Sequence, residues 1–184
     1  MSVLDNAIVF ATEKHAGMFR KGTTVPYIVH PLEAVSIAAG ITDDLEVLSA
    51  VVLHDVVEDT PVTVEDIRVK FGERIAMLVA AESEDKMPGI TPEESWKLRK
   101  QATIDALESA SFEEKIIVLA DKLSNIRAIY RDKSQIGDAI WERFNQKDKK
   151  QHEWYYRSVM NELADMSKFT VYQEFCQLVK DAFG

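Results

Sequence analysis

Apolar residues recur along this 184-residue chain at intervals of three and four, the spacing that gathers them on one face of a helix. Ile8, Ala11, His15 and Met18 or Phe19 share such a face, which predicts a first helix from Leu4 to Arg20. Gly22 and Pro26 then mark a loop. Pro31 suits the first turn of a second helix carrying Leu32, Val35, Ile37 and Ala38 or Ala39, with Gly40 as its stop. Asp43 or Asp44 is placed to cap a third helix whose apolar positions are Leu45, Leu48, Val51, Val52 and Val56; Pro61 closes it. Thr63 to Asp66 reads as a capping box opening a fourth helix, and Gly72 separates that helix from the segment bearing Ile75, Leu78 and Val79.

Pro88-Gly89 lies in the longest polar loop. Thr91-Pro92-Glu93-Glu94 opens a helix to about Leu107, and Ser111 caps a long one from Phe112 to Arg131. Further helices are expected over Gln135 to Phe144 and over Asp148 to Phe183, the last with a break near Ser167. Strand-like alternation is absent. The pattern predicts an all-α protein, read as a single domain over residues 1–184.

Composition narrows the function classes. Hydrophobic residues make up 46%, enough for a globular core, and no apolar run approaches the roughly 20 residues that span a bilayer. The N-terminus lacks the basic and apolar regions of a secretory signal, so a cytoplasmic location is expected. Cys176 is the only cysteine, which rules out an internal disulfide and any zinc site built on several thiolates. A net charge of -9 argues against binding nucleic acid along its phosphates, yet a small phosphorylated ligand needs only a metal ion and a few local cations. No feature of the sequence specifies an oligomeric state.

The candidate chemistry lies in three places. His54-Asp55-Val56-Val57-Glu58-Asp59 ends the third helix, so His54 stands one turn before Glu58, and Asp55 one turn before Asp59. Apolar neighbours surround these polar columns. Charges placed there need partners or a metal, because unpaired buried charge is costly. His30 precedes an apolar helix body, and Asp121 follows the apolar run Ile116 to Ala120. Two imidazoles and two carboxylates form a mixed nitrogen–oxygen set that suits manganese, iron, zinc or magnesium. An ion held there would acidify water near Glu58 and Asp59, which are placed to orient or deprotonate it. Arg20 and Lys21 are candidates for phosphate, although they also complement the C-terminus of the first helix. Lys122, Arg127 and Arg131 add charge to the Asp121 helix, with Arg99 and Lys100 on the helix before it. Asn125 follows Asp121 by one turn.

Arg20-Lys21, Tyr27-Ile28-Val29-His30-Pro31, His54 to Asp59 and Leu119 to Arg127 stand in an order that resembles the hydrolase domain of the RelA/SpoT proteins and the stand-alone small alarmone hydrolases. The resemblance covers about residues 7–161 and leaves 162–184 as a C-terminal helical extension. It implies an HD-domain helical bundle with a central manganese site whose ligands are His30, His54, Asp55 and Asp121. It implies Glu58 and Asp59 as the water-activating pair, and Arg20, Lys21 and Asn125 as contacts to a small nucleotide substrate. The implied reaction removes the 3′-pyrophosphate of ppGpp or pppGpp to give GDP or GTP. No segment resembles a synthetase domain, so the resemblance implies a hydrolase acting alone. The chain departs from the family at Ser124, where a histidine is common, and at Ala128, where bifunctional members tend to carry threonine. The loop Ser83 to Lys86 matches only loosely. The alternatives are an HD phosphohydrolase for another nucleotide, such as a dNTP, a nucleoside monophosphate or NADPH, and a silent nucleotide-binding domain. The aromatic segments Trp141 to Asn145 and Trp154 to Tyr156 read as helix packing.

Overall fold

The computed structural model describes residues 1–83 and 89–184. Glu84, Asp85 and Lys86 of the polar loop, and Pro88 beside it, lie outside the described residues. Among the described residues there are nine α-helices and no strand beyond a single bridge between Phe19 and Pro26. The chain forms two compact units. The first comprises residues 1–83 and 111–124, the second 84–110 and 125–184.

In the first unit α1 (Val3–Lys14), α2 (Val29–Ala38) and α5 (Glu73–Glu82) pack on α3 (Leu45–Asp59), while α4 (Val64–Phe71) packs on α5. Every residue of α3 from Val47 to His54 is buried, so this helix is enclosed on all sides rather than along one stripe. Asp44 starts it by accepting hydrogen bonds from the amides of Glu46 and Val47. Thr63 and Asp66 form the expected reciprocal box at α4. The first half of α7 (Phe112–Ile136) is as deeply enclosed, with Ile116 to Asp121 all buried. Ser111 and Glu114 exchange hydrogen bonds at its start.

α1 ends six residues earlier than the spacing predicts. Its last turn is closed by the His15 amide on Ala11, and Gly17 takes a left-handed backbone (φ 79°) that turns the chain away. The segment Met18 to Tyr27 then folds back on itself, with the Arg20 amide donating to Val25 and the Tyr27 amide to Met18, each at 2.9 Å. This reversal lays Arg20 over the Tyr27 ring.

In the second unit α8 (Lys149–Glu162) packs against both α6 (Trp96–Glu108) and α9 (Thr170–Phe183). The region expected to be a helix from Gln135 to Phe144 is divided. α7 runs on to Ile136, and Gly137 (φ 61°) turns it into a 3-10 segment, Gly137–Arg143. The break near Ser167 is present as a short 3-10 turn, Ala164–Met166. Trp141 stacks between His152 (5.0 Å) and Phe183 (5.6 Å), so these aromatics serve as core. No helix of the described residues is long and apolar enough to cross a membrane.

Candidate metal centre

His30 enters from the first turn of α2. No side chain caps that turn; instead the carbonyls of Pro26 and Tyr27 receive the amides of Val29 and His30. His54 and Asp55 come from the last turns of α3, and Asp121 from the enclosed half of α7. All four belong to the first unit. His30, His54 and Asp121 are buried, and Asp55 is largely so.

Their polar atoms face one another. His30 Nε2 lies 3.1 Å from Asp121 Oδ1 and 3.4 Å from Asp55 Oδ2. His54 Nε2 lies 3.2 Å from Asp55 Oδ2 and 3.7 Å from Asp121 Oδ1. Two ligand atoms at bond length from one ion, and at right angles to each other, are about 3 Å apart. The observed separations fit that spacing. His54 Nε2 is buried, yet its geometry satisfies no hydrogen bond to either carboxylate, so it faces the middle of the group. His30, His54 and Asp121 alone offer three ligand atoms within 4.8 Å of one another.

The other ring nitrogens are held from behind. His54 Nδ1 donates to the Val51 carbonyl at 2.6 Å, which leaves the Nε2 lone pair for a cation. His30 Nδ1 meets Ser124 Oγ at 2.8 Å, and that hydroxyl donates to Glu33 Oε2 at 2.7 Å. Asp55 Oδ2 also accepts from the Tyr27 hydroxyl at 2.7 Å.

Burial and neighbouring charge compete at each of these groups. Burial opposes charge on His54, but Asp55 and Asp121 outweigh it and hold the imidazole protonated well above its ordinary value. Burial would likewise raise Asp55 and Asp121. His54 and His30 pull Asp55 well below the usual carboxylate range; Lys122, with both histidines, does the same for Asp121. Both carboxylates thus favour positive charge at His54, whether a proton or a cation at Nε2. Burial and the nearby carboxylates of Asp55 and Asp59 push the Tyr27 phenol up, which keeps it a donor.

The remaining candidates are distributed more widely. Glu58 is half-buried and Asp59 exposed, one turn beyond His54 and Asp55. The Arg20 guanidinium lies over the Tyr27 ring, 5.6 Å from its centre, and Lys21 is exposed. Asn125 is half-buried and is the first residue of α7 assigned to the second unit. Three expected cations already have partners. Lys122 pairs with Asp121, Arg127 grips Glu174 through two 2.7 Å hydrogen bonds, and Lys100 lies over Tyr155.

Sequence reasoning assigned no site role to five nearby residues, Glu33 among them. Tyr27 and Ser124 support ligands. His15 is buried against Tyr27, with ring centres 4.8 Å apart, and burial lowers its pKa. Glu82 ends α5, where burial, with Asp121 adding to it against the pull of Lys122, pushes its carboxyl up to about 7. Spacing offered a signal for two of them: Glu33 follows His30 by three residues, and Ser124 follows Asp121 by three, so each shares a helix face with a candidate ligand.

Comparison with known proteins agrees with this geometry. The HD domain profile matches residues 7–148. The chain is 35% identical over 133 residues to guanosine-3′,5′-bis(diphosphate) 3′-pyrophosphohydrolase MESH1 of Danio rerio, covering 71% of each chain. It is 34% identical over 127 residues to guanosine-3′,5′-bis(diphosphate) 3′-pyrophosphohydrolase of Aquifex aeolicus, covering 69% of this chain and 18% of that longer one. A solved structure described as a metazoan ortholog of SpoT that hydrolyses ppGpp superposes with a TM-score of 0.77 at 28% identity, covering 98% of this chain and 95% of that one. A helical fold with an enclosed His/Asp cluster is the HD class. The chain belongs to the HD domain family, and the MESH1 enzymes are its relatives there. Family and cluster together point to a divalent metal ion.

Proposed function

We propose that this protein hydrolyses guanosine 3′,5′-bis(diphosphate), or its 5′-triphosphate counterpart, to GDP or GTP and pyrophosphate, using one manganese ion held by His30, His54, Asp55 and Asp121. The observation that carries the metal part is the convergence of two imidazole Nε2 atoms and two carboxylate oxygens at 3.1–3.7 Å, with an Nε2 of His54 that satisfies no hydrogen bond. The substrate follows from the relatives, whose names state this activity.

When bound, the ion supplies Lewis-acid stabilisation of phosphoryl oxygens and a more acidic water. The chain's own residues do the rest. Water adds across the ester bond between the ribose 3′ oxygen and the pyrophosphate, and the 3′ oxygen leaves with a proton. Glu58 and Asp59 accept and return protons one turn from the ligands. Tyr27, kept protonated, fixes the Asp55 carboxylate through its hydroxyl. Arg20, over the Tyr27 ring, and the exposed Lys21 offer cations to the nucleotide, and Asn125 contributes a neutral polar contact.

The test is pyrophosphate release from ppGpp by metal-stripped protein, with and without manganese, beside dNTPs and NADPH. Manganese-dependent formation of GDP and pyrophosphate is expected. Turnover of another nucleotide with ppGpp untouched would keep the metal site and discard the substrate; silence on the whole panel with metal bound would favour a binding domain.

A further inference from the structure

We propose that Glu33 and Ser124 are positioning residues for the metal centre, acting as a carboxylate–hydroxyl relay that fixes the tautomer and direction of His30. The proposal rests on the metal-site reading above and adds two residues outside the ligand set.

The argument begins with what helical hydroxyls do elsewhere in this chain. Thr12, Ser49 and Thr103 inside helices, and Thr60, Ser83 and Ser95 beside helix ends, each donate to the carbonyl four residues back, and Ser134 of α7 donates to the one three back, the local default. Ser124 is inside α7 and 1% exposed, yet its hydroxyl crosses to Glu33, 91 positions away in sequence. A hydroxyl has one proton. With that proton on the bond to Glu33, Ser124 Oγ can only accept from His30 Nδ1, 2.8 Å away. The His30 proton therefore sits on Nδ1, and the Nε2 lone pair faces Asp55 and Asp121.

Once a cation displaces the His54 proton, the two histidines thus present the same nitrogen, Nε2, by different routes. His54 uses a carbonyl of its own helix, which is present whenever that helix forms. His30 uses a side-chain relay from another helix, which substitution can remove. Each relay residue lies three positions after a candidate ligand, Glu33 after His30 and Ser124 after Asp121, so α2 and α7 each bring one ligand and one support to the same place. Residues supporting a metal-bound histidine typically change metal affinity about 10- to 100-fold when removed.

The experiment is manganese affinity by competition with a fluorescent chelator, for the full-length protein and for Ser124→Ala, Glu33→Ala, Glu33→Gln and the Ser124→Ala/Glu33→Ala double variant. Circular dichroism in chelator checks folding, and the Glu33 variants, at a half-buried position, test the relay even if Ser124→Ala is destabilised. Ser124→Ala is expected to weaken manganese binding at least about tenfold. Glu33→Ala weakens it less, because Ser124 can still accept from His30. Glu33→Gln restores near-normal affinity, since an amide oxygen still accepts the hydroxyl proton. The double variant is no weaker than Ser124→Ala, because one chain of bonds cannot be cut twice. Unchanged affinity in Ser124→Ala, or losses that add in the double variant, would overturn the relay while leaving the metal site intact. Absence of manganese binding by the wild-type protein would overturn both readings together.

Discussion

Asp55 has two duties on one oxygen. Its Oδ2 receives the Tyr27 hydroxyl and also faces both imidazoles. Asp55→Ala should therefore abolish manganese binding and turnover while the helical circular dichroism signal persists; a variant that retains wild-type affinity would remove Asp55 from the ligand set. Glu58 stands one turn away and does not belong to the converging group. Glu58→Ala is expected to keep its metal and lose turnover by about 10²-fold, the usual contribution of a positioned proton acceptor. Equal loss of metal and activity would instead make Glu58 a structural support. At this scale the four residues that converge were legible because histidine and aspartate interrupt apolar runs where charge is otherwise disfavoured. The support from Ser124 was not, since a serine is an ordinary residue in a helix until its partner is known.

Elements were predicted best where a cap or a periodic stripe acts locally. Asp44, Thr63 and Ser111 all begin helices as their sequence context indicates. Most of the errors occur where a helix stops. Gly17 and Gly137 end α1 and α7 through left-handed backbone, and a single glycine does not announce which conformation it takes. At Thr91 the reciprocal bonds with Glu94 are made, but the regular helix begins only at Trp96. One tie between elements was invisible in sequence. Arg74 on α5 reaches Asp44 and Glu46 at the start of α3 and Glu113 at the start of α7, at 2.6–2.7 Å. These groups are partly exposed, so each pair is worth only a fraction of a kcal/mol to about 1 kcal/mol. Arg74→Ala should lower unfolding stability by on the order of 1 kcal/mol, and the difference should shrink in molar salt as screening takes over. A salt-independent loss in urea titrations would show that packing of the arginine stem, not charge, is responsible.

For the whole molecule, the metal centre couples folding to pH. In metal-free protein Asp55 and Asp121 are held well below the carboxylate range, so their stabilisation is present above that range and is lost as pH falls. His54 is held above its ordinary value, so its stabilisation is complete below that value and is lost as pH rises through the folded-state pKa. Urea midpoints of the chelator-treated protein should therefore be highest in the mildly acidic range and decline on both sides. Metal reverses the alkaline decline, because binding expels the His54 proton, and affinity should rise by up to about tenfold per pH unit while that proton is still present. A manganese affinity independent of pH between 6 and 8 would contradict the protonated cluster.

The amino-acid sequence by itself determined most of the helices and where their capped ends begin, and it marked His30, His54, Asp55 and Asp121 as polar residues beside apolar runs. Those are short-range properties: caps, periodicity and the cost of charge among apolar neighbours act within a turn or two. The tertiary structure decided the rest. It turned Lys122 to Asp121 and Arg127 to Glu174, laid Arg20 over Tyr27, and set Ser124 between His30 and Glu33. Each of these choices is a competition among partners, and its outcome depends on which groups packing brings into contact. The Ser124 hydroxyl and the His30 ring are 94 residues apart along the chain, and only the packed helices make them neighbours.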